Sequence, residues 1–150
     1  INGDGLVGIR SGLTPVKDRL SSIYEDSNYI LVVGGENDAN INLDIDTFKS
    51  GIVSIIQNLY NNFPTAKIGF VTPWGDGTSN RSFIKPYADA IIEICNKYGV
   101  AVFNAWDNYL PNHDSTQRNR YYQTNSDSSH LNSTGHQLIM NKFVEWFKNI

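Results

Sequence analysis

Tyr29-Ile30-Leu31-Val32-Val33-Gly34-Gly35-Glu36-Asn37-Asp38 changes character at one point. Five apolar residues, mostly β-branched, run without a break and give way to two glycines and three polar residues. A short continuous apolar run bounded by turn residues reads as a buried strand. The strand therefore ends near Val33 and a polar turn follows. The same transition recurs twice. Lys67-Ile68-Gly69-Phe70-Val71 leads into Thr72-Pro73-Trp74-Gly75, and Val100-Ala101-Val102-Phe103 leads into Asn104-Ala105-Trp106-Asp107.

Between these runs the apolar period lengthens to that of a helix. Phe48, Ile52, Ile55, Ile56 and Leu59 recur at helical spacing, as do Ile84, Tyr87, Ala88, Ile91, Ile92 and Cys95, with Gly99 as the stop. A last helix is expected from a cap at Ser133 or Thr134, carrying Leu138, Ile139, Phe143, Val144 and Phe147. Strand and helix alternate three times, which implies a parallel sheet with helices on both faces in one α/β domain over residues 1–150. Such sheets hold their ligands beyond the carboxyl ends of the strands. All three polar turns fall there.

Composition bounds the function. Apolar residues are 40% and charged residues 18%, which fits neither a disordered nor a membrane chain. No apolar run approaches the ~20 residues of a spanning helix. The net charge of -3, with Lys and Arg scattered, argues against nucleic acid. Cys95, the single cysteine, sits in an apolar run and reads as a buried thiol. No cofactor is expected. No metal is expected either, because His136 lacks the further ligands that a zinc site would need. The abundance of Asn, Ser and Tyr favours an extracellular, cell-surface or virion setting.

Two segments carry chemistry. In Asp127-Ser128-Ser129-His130, a carboxylate three residues before a histidine can bond one imidazole nitrogen and leave the other as a base. The same residues also suit a solvated loop that caps the last helix. In Gly34-Gly35-Glu36-Asn37-Asp38, the glycines allow close backbone approach and Asn37 can donate to a developing oxyanion. A plain strand-to-helix turn is the competing reading. Gly3, Gly5 and Gly8 have the spacing of a dinucleotide loop, which predicts a helix opening at Gly8. The acidic residue expected after a second strand is missing.

Taken together, these segments resemble the SGNH hydrolase family, also called GDSL esterases. That family is marked by a Gly-Asp-Ser with the nucleophile, a Gly, a Gly-x-Asn-Asp and an Asp-x-x-His. Gly35-Glu36-Asn37-Asp38 matches the third block, and Asp127-Ser128-Ser129-His130 the fourth, continued by Leu131-Asn132 and Gly135. Gly8, 29 residues before Asn37, matches the second. The resemblance implies a three-layer, flavodoxin-like sheet and acyl transfer to water through an acyl-enzyme. It implies His130 as general base and Asp127 as its orienter. Asn37 and the N–H of Gly8 would form the oxyanion hole. Trp74 is expected to line the substrate pocket.

The nucleophile block is not matched. Gly3-Asp4-Gly5-Leu6 lies too close to Gly34-Gly35-Glu36 to be it, and Ser11 reads as part of a turn. The serine is expected upstream of residue 1, along with one or two strands, because Ile1-Asn2 reads as a strand end. The expected substrate is an ester, such as an acetylated glycan, with the protein's own N-terminal segment completing the site. The alternative is a non-catalytic SGNH-like domain that serves binding or assembly on a surface or virion. Trp106, Trp146 and Phe147 are expected to pack. His113 and Asp114 are read as a surface loop, Asp44 and Asp46 as helix-start caps, and Arg118, Arg120, Tyr121 and Tyr122 as possible contacts to an anionic glycan.

Overall fold

A computed structural model describes residues 4–75, 79–107, 120–124 and 129–150. The three apolar runs form strands β1 (Tyr29–Val33), β2 (Lys67–Val71) and β3 (Ala101–Phe103). They pair in parallel in the order β1-β2-β3, Tyr29 to Val33 opposite Lys67 to Val71, and Gly69 to Val71 opposite Ala101 to Phe103. The helices whose full extent lies in the described residues are α1 (Glu36–Asn40), α2 (Ile45–Asn62), α3 (Lys85–Tyr98) and α4 (Ser133–Phe147). Short 3-10 turns cover Val16–Asp18, Leu20–Ser22 and Ser79–Ile84.

Helices α2 and α3 follow the sequence pattern. The Asp44 side chain caps α2 by accepting from Thr47 N–H at 2.8 Å. Phe48, Ile52, Ile55, Ile56 and Leu59 are fully buried along one stripe. They meet Ile91, Ile94 and Cys95 of α3 and the inward side chains of the sheet, Ile30, Val32, Ile68 and Phe70, in one core. Gly99 ends α3 in the left-handed conformation, with φ +68°.

Helix α4 covers the other face. Ile139, Phe143 and Trp146 pack on Val71, Phe103 and Ala105. Gly69 is the seat for the Trp146 ring: a Cβ there would lie 2.7 Å from Trp146 Cη2. Two details of α4 differ from the sequence expectation. The cap is Asn132, whose side-chain oxygen accepts from Gly135 N–H at 3.0 Å, in place of Ser133 or Thr134. Leu138 is exposed, because the stripe that meets the sheet runs through Ile139, Phe143 and Trp146.

Among the described residues strand β1 is one of the two sheet edges, and α4 covers its outer side poorly. Its side chains alternate, with Ile30 and Val32 buried and Tyr29, Leu31 and Val33 exposed at 51%, 37% and 55%. Tyr29 touches Phe147 at 5.2 Å between ring centroids. An apolar edge with unpaired backbone groups is a template for strand addition. Residues 1–150 expressed alone should therefore self-associate with rising concentration in sedimentation velocity, and Leu31→Lys should reduce the association without lowering the melting temperature. A monomer at every concentration contradicts this. Burial also pushes the Cys95 thiol up to about 12. Native protein should resist Ellman's reagent at mildly alkaline pH and react once unfolded.

Candidate active site

The site is built on the turn after β1. Gly35 adopts φ +106°, a conformation costly for any residue with a Cβ, and turns the chain into α1. Successive side chains on a helix point about 100° apart. Glu36, Asn37 and Asp38 therefore reach three different partners.

Asp38 turns inward and is fully buried. Its carboxylate accepts from the backbone N–H groups of Leu6 at 2.8 Å, Val7 at 2.9 Å and Gly8 at 2.8 Å. These charge-assisted bonds wrap the segment around residues 4–8 onto α1. The contact is close enough that a Cβ on Gly5 would lie 2.5 Å from Asp38 Oδ1.

Asn37 faces the same segment from outside. Its Nδ2 donates to Asp4 O at 3.2 Å, and its Oδ1 accepts from the Arg10 guanidinium. Arginine can only donate, so this contact assigns the amide orientation and directs the Asn37 NH2 group away from Arg10. The loop around Arg10 is itself held by the Asp4 carboxylate, which accepts from the N–H groups of Arg10 and Ser11. The Arg10 N–H is the main cause that holds the Asp4 carboxyl below the ordinary carboxylate range.

Glu36 points toward the C-terminal segment. Its carboxylate pairs with Arg81 at 2.8 Å and accepts from Ser129 Oγ at 2.5 Å. Arg81 Nη1 also donates to Ser129 Oγ at 2.8 Å. The residue after Ser129 is His130, which is exposed. On its other side the chain is tied to residues 121–123. Gln123 N–H donates to His130 O at 2.9 Å, Tyr122 and Leu131 form an isolated bridge, and Asn132 N–H donates to Tyr121 O at 2.9 Å. The Asn132 amide adds bonds to Arg120 O and Tyr122 O.

The expected site residues fare differently. Asn37, Gly8 and the His130 segment are all linked to α1, directly or through neighbours. Asp127 lies outside the described residues, as do His113, Asp114 and Arg118. Trp74 is half-buried and packs between the Val71–Phe103–Ala105 cluster and the Tyr122–Leu131 pair, which joins the end of β2 to the His130 segment. The expectation for Gly8 needs correcting on one point. Its N–H is engaged by Asp38, so in this structure it is not an outward donor. No helix opens at Gly8, and the amides of residues 6–8 face a carboxylate, which is incompatible with the dinucleotide-loop reading of Gly3, Gly5 and Gly8. Tyr122 is buried and so is not a surface contact for a glycan, whereas the exposed Arg120 guanidinium lies 5.7 Å from the Tyr121 ring centroid. Among the described residues, no group of three or more His, Cys, Asp or Glu converges as metal ligands would.

Sequence reasoning missed Arg10, Glu36, Asp38 and Arg81 as organisers. Asp38 stood in a quoted motif, but the motif does not reveal which backbone groups it binds. Arg81, in Ser79-Asn80-Arg81-Ser82, carried no signal beyond being a cation just after a strand-end turn.

Sheet order, helices on both faces and polar turns gathered at the carboxyl ends of the strands define an α/β protein of the class that holds its ligands at such turns. Within that class, the chain belongs to the GDSL-like lipase/acylhydrolase family, whose sequence profile matches residues 1–138. Among solved structures, a protein from Lactobacillus plantarum superposes with a TM-score of 0.81 at 22% identity, over 99% of this chain and 78% of its own. A Bacteroides uniformis protein described as a GDSL-like lipase gives 0.65 at 20%, over 99% of this chain and 67% of its own. An active-site mutant of a family two carbohydrate esterase from Clostridium thermocellum gives 0.66 at 19%, over 99% and 47%. At these identities the likeness is one of fold. A search of curated protein sequences finds no match. Among the described residues, no helix is long and apolar enough to cross a membrane.

Removing the Asp38 carboxylate would strand three buried donors. Asp38→Ala should cost about 3 kcal/mol or more. Urea denaturation measures this, and a loss below about 1 kcal/mol would show that the segment finds other acceptors.

Proposed function

We propose that the chain carries the base and the oxyanion side of a serine-type acyl hydrolase, and that its substrate is an ester of the acetylated-carbohydrate kind. One observation carries the reading. Ser129 and Glu36, the immediate neighbours of His130 and Asn37, are hydrogen-bonded at 2.5 Å although 93 residues separate them in sequence. A base and an amide donor on opposite sides of a reacting carbonyl need such an approach. Family membership supports the reaction class. The fold likeness to a carbohydrate esterase and the half-buried indole of Trp74 beside the His130 segment support the glycan reading.

In this reading the nucleophile is a serine upstream of residue 1. His130 takes the serine proton as Oγ bonds to the ester carbonyl carbon. Asp127 orients the imidazole and stabilises its cation. The carbonyl oxygen becomes an oxyanion, met by the Asn37 NH2 group and the serine's own N–H. Gly8, whose N–H is bound by Asp38, lies on the neighbouring loop and gives the hole no donor in this structure. The intermediate collapses, the C–O bond to the alcohol breaks, and His130 returns the proton to the leaving oxygen. Water then attacks the acyl-enzyme with His130 again as base, releasing the carboxylic acid and restoring the serine.

The test is hydrolysis of p-nitrophenyl acetate and of an acetylated oligosaccharide by the full-length protein. His130→Ala should abolish turnover, and Asn37→Ala should lower kcat about 10²–10³-fold. Turnover that survives His130→Ala contradicts the reading. A folded full-length protein with no turnover on any ester favours the non-catalytic binding domain.

A further inference from the structure

We propose that Arg81 is a positioning residue. Its guanidinium closes a ring with Glu36 and Ser129 that sets the distance between the base His130 and the amide donor Asn37. The inference rests on the function proposed above and adds a residue that the family's sequence blocks do not contain.

The ring has three members from three parts of the fold. Arg81 comes from the 3-10 turn Ser79–Ile84, Glu36 from the first residue of α1, and Ser129 from the segment ahead of α4. Arg81 is only 5% exposed. Taking a guanidinium out of water is costly unless charged and polar partners offset it. Nη2 pairs with Glu36 Oε2 at 2.8 Å, Nη1 donates to Ser129 Oγ at 2.8 Å, and Ser129 Oγ donates to Glu36 Oε1 at 2.5 Å. Each pair of members shares one contact. The planar fork of arginine serves two partners at once, which a lysine ammonium on a flexible stem does not reproduce.

The chemistry of the ring argues against a second serine centre. The Ser129 hydroxyl hydrogen is committed to Glu36, and the Glu36 charge is matched by Arg81. What the ring does supply is geometry. Ser129 is bonded in sequence to His130, and Glu36 to Asn37. Fixing the first pair to each other therefore fixes the second pair across the site. The bonds of His130 O, Leu131 and Asn132 to residues 121–123 hold the segment on its C-terminal side. The ring holds it on its N-terminal side. Misplacing reacting groups by an ångström can cost orders of magnitude in rate.

The experiment uses the full-length protein with Arg81→Gln, Arg81→Lys and Ser129→Ala. Arg81→Gln should lower kcat by about tenfold or more with KM little changed, and Arg81→Lys should fall between it and wild type. Ser129→Ala added to Arg81→Gln should lower kcat little further, because the two share one interaction. Hydrogen exchange supplies a readout independent of turnover. Arg81→Gln should speed exchange at Ser129–Leu131 while the amides of β2 keep their wild-type rates. If Arg81→Gln does not fold, Ser129→Ala alone must speed exchange over the same residues. Unchanged exchange at Ser129–Leu131, or an equal rise throughout β2, overturns the proposal. Full turnover in His130→Ala would instead overturn the function it rests on, and the exchange result would still decide whether the ring holds the segment.

Discussion

Asp38 is the interaction on which the site depends. A fully buried carboxylate is tolerated only when its oxygens are satisfied, and here three consecutive N–H groups of residues 6–8 satisfy them. The bond network works in both directions. It removes a desolvation cost from Asp38, and it gives an irregular loop the backbone partners that secondary structure would otherwise supply. With that loop fixed, Asp4 and Arg10 are in place to orient Asn37. The Asn37 amide therefore owes its direction in part to the buried Asp38 carboxylate.

The short helix α1 divides its labour by side-chain direction. Asp38 faces the N-terminal loop from inside, Asn37 faces it from outside, and Glu36 reaches the C-terminal segment. One turn of helix thus joins stretches of chain more than ninety residues apart. Beneath it, the core formed by α2, α3 and the inward side of the sheet supplies the rigidity, since it contains most of the buried aliphatic residues. The opposite face is thinner. Helix α4 is anchored through Trp146, Phe143 and Ile139, and it leaves the outer side of β1 exposed.

The fold was legible because its signals are local. Three apolar runs, two helical stripes, the Asp44 cap and the Gly99 stop each follow from residues within one element. The placement of Asn37 just past a strand end followed from the parallel order. What could not be read is non-local. Neither the partner of Arg81 nor the three amides of Asp38 can be deduced from spacing, because each depends on how loops 30 to 93 residues apart meet. Gly8 shows the limit from the other side: its position in the motif was legible, but the direction of its N–H was set by Asp38. The cap of α4 lies one or two residues before the expected Ser133 or Thr134 for a similar reason. The Asn132 side chain also bonds the backbone of residues 120 and 122, which lie outside the helix and its own turn.

The central proposal is that His130 serves as the base for a serine nucleophile outside the matched stretches of this chain. The most direct measurement is labelling of the full-length protein with a fluorophosphonate, followed by mass mapping of the modified residue. The account predicts a single labelled serine N-terminal to residue 1, with labelling lost in His130→Ala. Labelling at Ser129, at Ser11 or at any serine within these 150 residues, or labelling that is indifferent to His130, would contradict it.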